Sequence, residues 1–261
     1  MSGRTAASLA LTREISPAFE RCELTHLARQ PIDLVAARAQ HAAYEQCLRD
    51  EGYAVVRLPS DAHVPDSVFV EDIAVVFDET AIITRPGAES RRLETPAVAE
   101  AVRPHRRLDG IEAPGTMDGG DVLTIGRRVF VGESSRTNRS AIDQMARLLG
   151  PFGYSIRAVR VKGCLHLKSA VTLVSDDLLL ANREWVDLGA FGSIDVVDVD
   201  PAEPSAANAL RLEDAVIYST AFPRTRRRME QRGVRVVGVE VGELAKAEGG
   251  VTCCSLLVRR T

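Results

Sequence analysis

Residues 71–87 read EDIAVVFDETAIITRPG: two carboxylates, an apolar run, a polar pair at Asp78-Glu79, and a second apolar run. Turn-forming residues between two strand-length stretches predict a β-hairpin. The same plan returns at Asp118 in DGGDVLTIGRRVFVGESSRTN, with Gly126-Arg127 at the turn. It returns at His166 in HLKSAVTLVSDDLLLANRE, turning at Asp176-Asp177, and at Asn208 in NALRLEDAVIYSTAFPRT, turning at Glu213-Asp214. From Cys253 only the opening strand of a further unit remains.

Helical patterns follow the hairpins. Thr95-Pro96 opens the first, with Thr as N-cap and Pro in the first turn. Asn138 caps RSAIDQMARLLG, which stops at Gly150. A weaker helical stretch surrounds Trp185, and TRRRMEQRG follows the fourth hairpin. The N-terminal LTREISP supplies a partner strand for the truncated last unit, and its helix runs from a cap at Asp33 to Gly52. Units recurring at about 40 to 50 residues are the mark of a repeat architecture. Five ββαβ-like units predict an α/β fold with small sheets closed radially around a centre. An ordinary mixed α/β sandwich is the plainer alternative that composition alone favours.

With 261 residues, 45% of them hydrophobic, the chain can bury a large core, read here as one domain over residues 1–261. A net charge of −3 gives no electrostatic case for nucleic acid or an acidic membrane surface. The RTRRRMEQR run reads as a solvated helix face. Five cysteines spread along the chain do not form a small disulfide scaffold and point to a reducing, cytoplasmic setting. The first 16 residues lack a signal-peptide core, and no window approaches the ~20 apolar residues of a membrane span. Phosphate-loop, dinucleotide and G-x-S-x-G patterns are missing from the sequence.

The chemistry-bearing residues fall at equivalent places, the start of each unit: Glu71-Asp72, Asp118, His166, Asn208 and Cys253. Each taken singly has a structural explanation, as a turn acid, a core histidine or a small buried thiol. Together they form the set needed for nucleophilic catalysis: a thiolate, a proton-transferring His and a carboxylate that orients it. Gly119-Gly120 and Gly249-Gly250 flank two of these positions, either for close backbone approach or as plain turns. The acids exceed what attack on a neutral carbonyl requires. Asp66, Glu71, Asp72 and Asp118 around one thiol argue for a cationic electrophile, and Arg91 and Arg136 are candidates for clamping a substrate carboxylate. A cation at one end and a carboxylate at the other describe an amino acid of the arginine type.

At these residues the chain resembles the dimethylarginine dimethylaminohydrolases of the guanidino-group-modifying (pentein) superfamily. The carrying motifs are PDSVFVEDIAVVFDETAIITRPGAESRR (65–92), TMDGGDVL (116–123), VFVGESSRTN (129–138), GCLHLKS (163–169) and GGVTCCS (249–255), and the likeness runs from about Leu11 onward. It implies a five-bladed α/β propeller. It places the nucleophile on Cys253, the general acid/base on His166 and the His-orienting carboxylate on Asp118, where some relatives carry Glu. It implies guanidinium contacts from Asp72 and Glu71, carboxylate contacts from Arg91 and Arg136, and an α-amino contact from Asp66. Backbone contacts fall near Leu27 and Ala247. The implied reaction is hydrolysis of Nω-methylated L-arginine to L-citrulline and an amine through an S-alkylthiouronium, with no cofactor and no metal.

Three other readings stay open. Cys164, His166, Cys253 and Cys254 are a conceivable zinc set, but they lack the usual ligand spacing. An arginine deiminase-like hydrolase shares the core chemistry, and a non-catalytic propeller shares the shape. The expected partner is a small molecule, not nucleic acid or a membrane, and a homodimer is one option for the oligomeric state. Alternation along a strand predicts that Cys254 faces away from Cys253, into the packing between blades. The surrounding carboxylates predict a mostly neutral resting thiol at Cys253.

Overall fold

The computed structural model describes residues 8–259. The first segment places β1 (Leu9–Arg13), helix α1 (Leu34–Asp50) and β2 (Ala54–Leu58). The next unit holds β3 (Ala74–Val76), β4 (Thr80–Ile83), α2 (Thr95–Val102) and β5 (Arg107–Gly110). The third holds β6 (Val122–Ile125), β7 (Arg128–Glu133), α3 (Arg139–Leu149) and β8 (Ser155–Arg160). The fourth opens on a single turn, α4 (Leu167–Ala170), before β9 (Val171–Ser175), β10 (Leu178–Ala181) and β11 (Asp195–Asp198). The fifth runs through β12 (Ala209–Arg211), β13 (Val216–Ser219), α5 (Pro223–Gln231) and β14 (Val236–Val239). A short α6 (Gly242–Ala245) and β15 (Leu256–Val258) complete the chain.

These strands make five three-stranded sheets. In four of them the first two strands form the hairpin read from the sequence, and the third returns parallel to the second after a longer crossover. The remaining sheet joins the two ends of the chain: Leu11 of β1 pairs with Leu256 of β15, and β2 runs parallel on the other side. The LTREISP segment thus completes the truncated unit as expected. The first strands β3, β6, β9 and β12, with β15 in the same role, all line one cavity of about 470 Å³ on the axis. Radial closure is a propeller, not a sandwich.

The blades stick together through apolar clusters under their helices. Asn138 caps α3 by accepting the Ala141 N–H at 3.0 Å, and Ile142, Met145 and Leu149 then point into a cluster with Val129 and Val131. Full burial of each such side chain contributes about 1.5–3 kcal/mol. Asp33 caps α1 in the same way through Val35 and Ala36. Among the described residues no helix is long and apolar enough to cross a membrane.

Three local expectations need correction. Thr95 is already helical (φ −62°, ψ −40°) because a 3-10 turn over Glu89–Glu94 precedes it; its hydroxyl donates back to the Arg92 carbonyl instead of capping. The stretch around Trp185 forms no α-helix but only a 3-10 turn at Leu188–Phe191, cut short by Gly192 at φ 78°. Cys253 and Cys254 lie in a turn, not in the last strand, which starts at Leu256. The Cys253 N–H donates to the Gly250 carbonyl, and Asn208 holds the Thr252 N–H at 3.1 Å, so the backbone here is bent by a neighbouring blade.

Candidate active site

The turns that precede the first strands gather at one end of the axis. A 3-10 turn at Val70–Ile73 holds Glu71 and Asp72, and another at Gly119–Asp121 follows Asp118. His166 stands just before α4, and Cys253 in its turn before β15. A pocket of about 20 Å³ is lined by Asp66, Asp72, Arg91, Arg136, His166 and Cys253, with Ala247 and Glu248 at its side.

His166 is the hub. Its Nε2 is 3.1 Å from Asp118 Oδ2, and its Nδ1 is 3.9 Å from Asp72 Oδ1. Asp118 is fully buried and takes the Gly87 N–H at 2.9 Å, which fixes the carboxylate that orients the ring. Burial works against an imidazolium here. Asp72, Asp118 and Asp121 outweigh it and hold the His166 pKa up at about 9. Asp72 is itself tied by the Gly120 N–H at 3.0 Å and Arg91 at 2.6 Å. Burial would raise its pKa, but His166 and Arg91 keep it below the ordinary carboxylate value.

Close packing explains one glycine pair. A Cβ on Gly120 would stand 2.6 Å from His166 Nδ1, and one on Gly119 only 2.0 Å from the Glu71 carbonyl. Gly120→Ala is therefore expected to displace the imidazole and lower kcat by about 10²-fold, the size of effect that a 1 Å misplacement produces. A kcat within threefold of the parent would show, by about that margin, that the ring has slack.

Cys253 is 9% exposed, with its sulfur taking the Gly250 N–H at 3.3 Å. Burial, then Glu71 and Asp72, push its thiol up to about 12. The free site thus pairs a neutral thiol with a protonated histidine. Iodoacetamide labelling of Cys253, followed by peptide mapping, should accelerate with pH and show no plateau below about pH 10. A plateau with its midpoint under about pH 7 contradicts this protonation state. Cys254 is fully buried, its thiol directed to the Gly250 carbonyl at 3.6 Å, and it packs in the apolar cluster beneath α1.

Other residues fall differently from expectation. Glu71 does not line the pocket: Lys168 Nζ donates to its Oε1 at 2.6 Å and the Thr252 hydroxyl to its Oε2 at 2.7 Å, so it forms the floor behind Cys253. Arg91 reaches the pocket but is no free clamp. Besides Asp72 it pairs with Glu94 at 2.9 Å and donates to the Phe69 carbonyl at 3.0 Å. Burial opposes its charge, yet Glu94 and Asp72 hold its pKa above the ordinary value. Arg136 is less committed, donating to the Thr25 hydroxyl at 3.0 Å and standing 3.7 Å from Asp118. Asp66 takes the Glu23 N–H at 3.1 Å, and burial lifts its pKa to about 6 against the pull of Arg91.

Leu27 is 49% exposed and outside the pocket lining. Its N–H and that of Thr25 donate to the Glu248 carboxylate at 2.6 and 3.0 Å, which tethers the 22–32 loop to the rim. Glu94, Asp121, Lys168, Thr252 and Glu248 are the contributors that residue reasoning passed over. Lys168 and Thr252 stand inside the quoted motifs LHLKS and TCCS, a position that was visible. Among the described residues, one group offers metal-ligating atoms within 4.8 Å of each other: Asp72, Asp118 and His166. Each already has a hydrogen-bonding partner, and the Cys164, His166, Cys253 and Cys254 set is not assembled.

The model for eukaryotic N,N dimethylarginine dimethylhydrolases matches residues 26–189. The N(G),N(G)-dimethylarginine dimethylaminohydrolase of Pseudomonas aeruginosa is 38% identical over 234 residues, 89% of this chain and 91% of that protein. This chain belongs to the dimethylarginine dimethylaminohydrolase family. The Streptomyces coelicolor dimethylarginine dimethylaminohydrolase is 38% identical over 252 residues, 96% of each chain. A solved Pseudomonas aeruginosa dimethylarginine dimethylaminohydrolase, a Cys-to-Ser mutant complexed with citrulline, superposes with a TM-score of 0.92. It is 36% identical, covering 96% of this chain and 99% of that one. The N-terminal domain of a cyanobacterial arginine dihydrolase shares the fold at a TM-score of 0.87 and 17% identity. The dimethylarginine dimethylaminohydrolase family thus accounts for the propeller and for citrulline as a ligand of a relative.

Proposed function

We propose that this protein is a single-domain cytoplasmic enzyme that hydrolyses Nω-methylated L-arginines to L-citrulline and methylamine or dimethylamine. The observation that carries the reading is the meeting of Cys253, His166 and two buried carboxylates, Asp66 and Asp72, in one small pocket, within a chain of this family. A guanidinium entering beside Asp72, above the Glu71 floor, adds positive charge next to the two acids whose field raises the Cys253 thiol. It offsets the field that holds the thiol protonated, so binding the substrate favours the thiolate, and the thiol proton leaves to solvent because His166 is already charged. The Gly250 N–H at Cys253 is already placed to stabilise that anion.

The thiolate then attacks the guanidinium carbon. The C–N bond to the methylated nitrogen breaks, and His166 gives its proton to the amine, which leaves neutral. The resulting thiouronium carries one positive charge, and His166 is now the base. Water adds to the carbon, one proton passes to His166, and the C–S bond breaks with its electron pair returning to sulfur. The second proton leaves to solvent or re-forms the thiol. Asp118 holds the ring through Nε2, in agreement with a proton-transfer role for the opposite nitrogen. Asp66 is suited to the substrate α-amino group, with Arg136 the freer of the two arginines for its carboxylate and Arg91 fixing Asp72. The backbone at Ala247 closes the amino-acid end, while Leu27 stays outside the pocket on the tethered 22–32 loop.

The test is citrulline and amine release from asymmetric dimethylarginine, monomethylarginine and arginine. Equimolar citrulline and amine from the methylated substrates is expected. No citrulline from any of the three overturns the reading, and preferential turnover of unmethylated arginine moves the chain to a deiminase-like activity.

A further inference from the structure

The axial cavity of about 470 Å³ has no part in the chemistry above. Its walls are the first strands of the blades. At one end it reaches the exposed hairpin turns at Asp78 and Gly126. At the other end it stops at Glu71, Gly119, Lys168 and Thr252. Those four are chain neighbours of the catalytic set: Thr252 precedes Cys253, Glu71 precedes Asp72, Gly119 follows Asp118, and Lys168 is two residues past His166. Cavity and pocket are therefore back to back, one layer of side chains apart.

That layer is polar throughout. Lys168 Nζ bridges Glu71 Oε1 at 2.6 Å and the Gly119 carbonyl at 3.2 Å. The Thr252 hydroxyl donates to Glu71 at 2.7 Å and stands 4.0 Å from Cys253 Sγ. The front pocket, at about 20 Å³, is the smaller space by far. An amino-acid adduct on Cys253 and the amine just released beside His166 share that front, while the second half of the reaction needs a water at the same carbon. The rear cavity has room for many waters and ends on a carboxylate, an ammonium and a hydroxyl, each able to hold one.

We propose that the axial cavity is the route by which hydrolytic water reaches the thiouronium carbon, and that Glu71, Lys168 and Thr252 form the gate it crosses. The inference rests on the nucleophilic role given to Cys253. The water that crosses adds its oxygen to the carbon as the C–S bond breaks; its protons go to His166 and to the departing sulfur or solvent. The three gate residues are positioning residues for that water.

The test plugs the cavity away from the gate. Leu173→Trp on β9 and Thr124→Trp on β6 each add bulk from a different blade to a partly exposed wall position. Enzyme is mixed with dimethylarginine and quenched; adduct is read by intact mass, and amine released in the first turnover is read in parallel. First-turnover amine release should stay within about twofold, while adduct decay slows about tenfold and adduct builds up during steady turnover. Adduct decay at the parent rate in the folded variants overturns the route in favour of entry from the front. Equal slowing of both steps overturns it too, since that marks a general distortion. A parent enzyme that releases neither amine nor citrulline sinks the proposed function itself, an outcome distinct from either.

Discussion

Cys253→Ser is expected to lower citrulline release by at least about 10⁴-fold, while Cys254→Ser keeps it within about threefold. The two thiols are adjacent in the chain but belong to different environments. Cys253 lines the pocket and shares it with His166 and Asp72. Cys254 has no pocket surface and packs with Tyr44 and Leu48 in the cluster beneath α1. A serine at 253 keeps the shape and hydrogen bonds but has a far weaker nucleophile, with no base close enough in charge state to ionise it. A serine at 254 can donate to the Gly250 carbonyl, as the thiol does, so the cost falls on stability, on the order of 1 kcal/mol for a polar group in that cluster. Steady-state citrulline assays with urea titrations separate the two effects. Loss of activity in the 254 variant at unchanged stability would reverse the assignment.

His166→Gln is expected to lower kcat by about 10²–10⁴-fold, the usual share of a positioned acid–base group. Asp118→Asn should fall in the same direction, because it removes the carboxylate bound to Nε2 and part of the field that keeps the ring charged. The pH dependence follows from sign. His166 has its folded pKa raised to about 9, above the ordinary 6.5, because carboxylates outweigh burial. The proton needed by the leaving amine is therefore present at neutral pH and lost above 9, so kcat, read once substrate binding has ionised the thiol, should decline on an alkaline limb with an apparent pKa near 9. The same shift is a stability term, complete below about pH 6.5 and lost as the pH rises through 9. Removing Asp118 should move the alkaline limb to lower pH. A limb that stays near 9 in Asp118→Asn would assign it to another group.

The propeller was legible because each hairpin is local: turn residues at matching offsets in EDIAVVFDETAII and DGGDVLTIGRRVFV need no tertiary knowledge. The convergence of Asp72, Asp118, His166 and Cys253 followed from that repeat, since equivalent positions in radially arranged units must meet. Ion-pair choice was not legible. Whether Arg91 faces a substrate or Glu94, and whether Glu71 faces the pocket or Lys168, depends on side-chain directions that spacing does not encode. The backbone at Cys253 was misread as strand because its bend is imposed from outside, by Asn208 on the next blade accepting the Thr252 N–H. The fate of Cys254 came out as expected for a different reason: the turn, not strand alternation, buries it.

The central claim is a covalent bond between Cys253 and the substrate carbon. Its most direct test is acid quench of the enzyme during turnover of dimethylarginine, followed by digestion and mass mapping of the peptide that holds both cysteines. A thiouronium adduct on Cys253, appearing with the first dimethylamine and decaying as citrulline forms, is the predicted result. Citrulline formation from an enzyme that never carries mass on Cys253, or that carries it on Cys254, would contradict it.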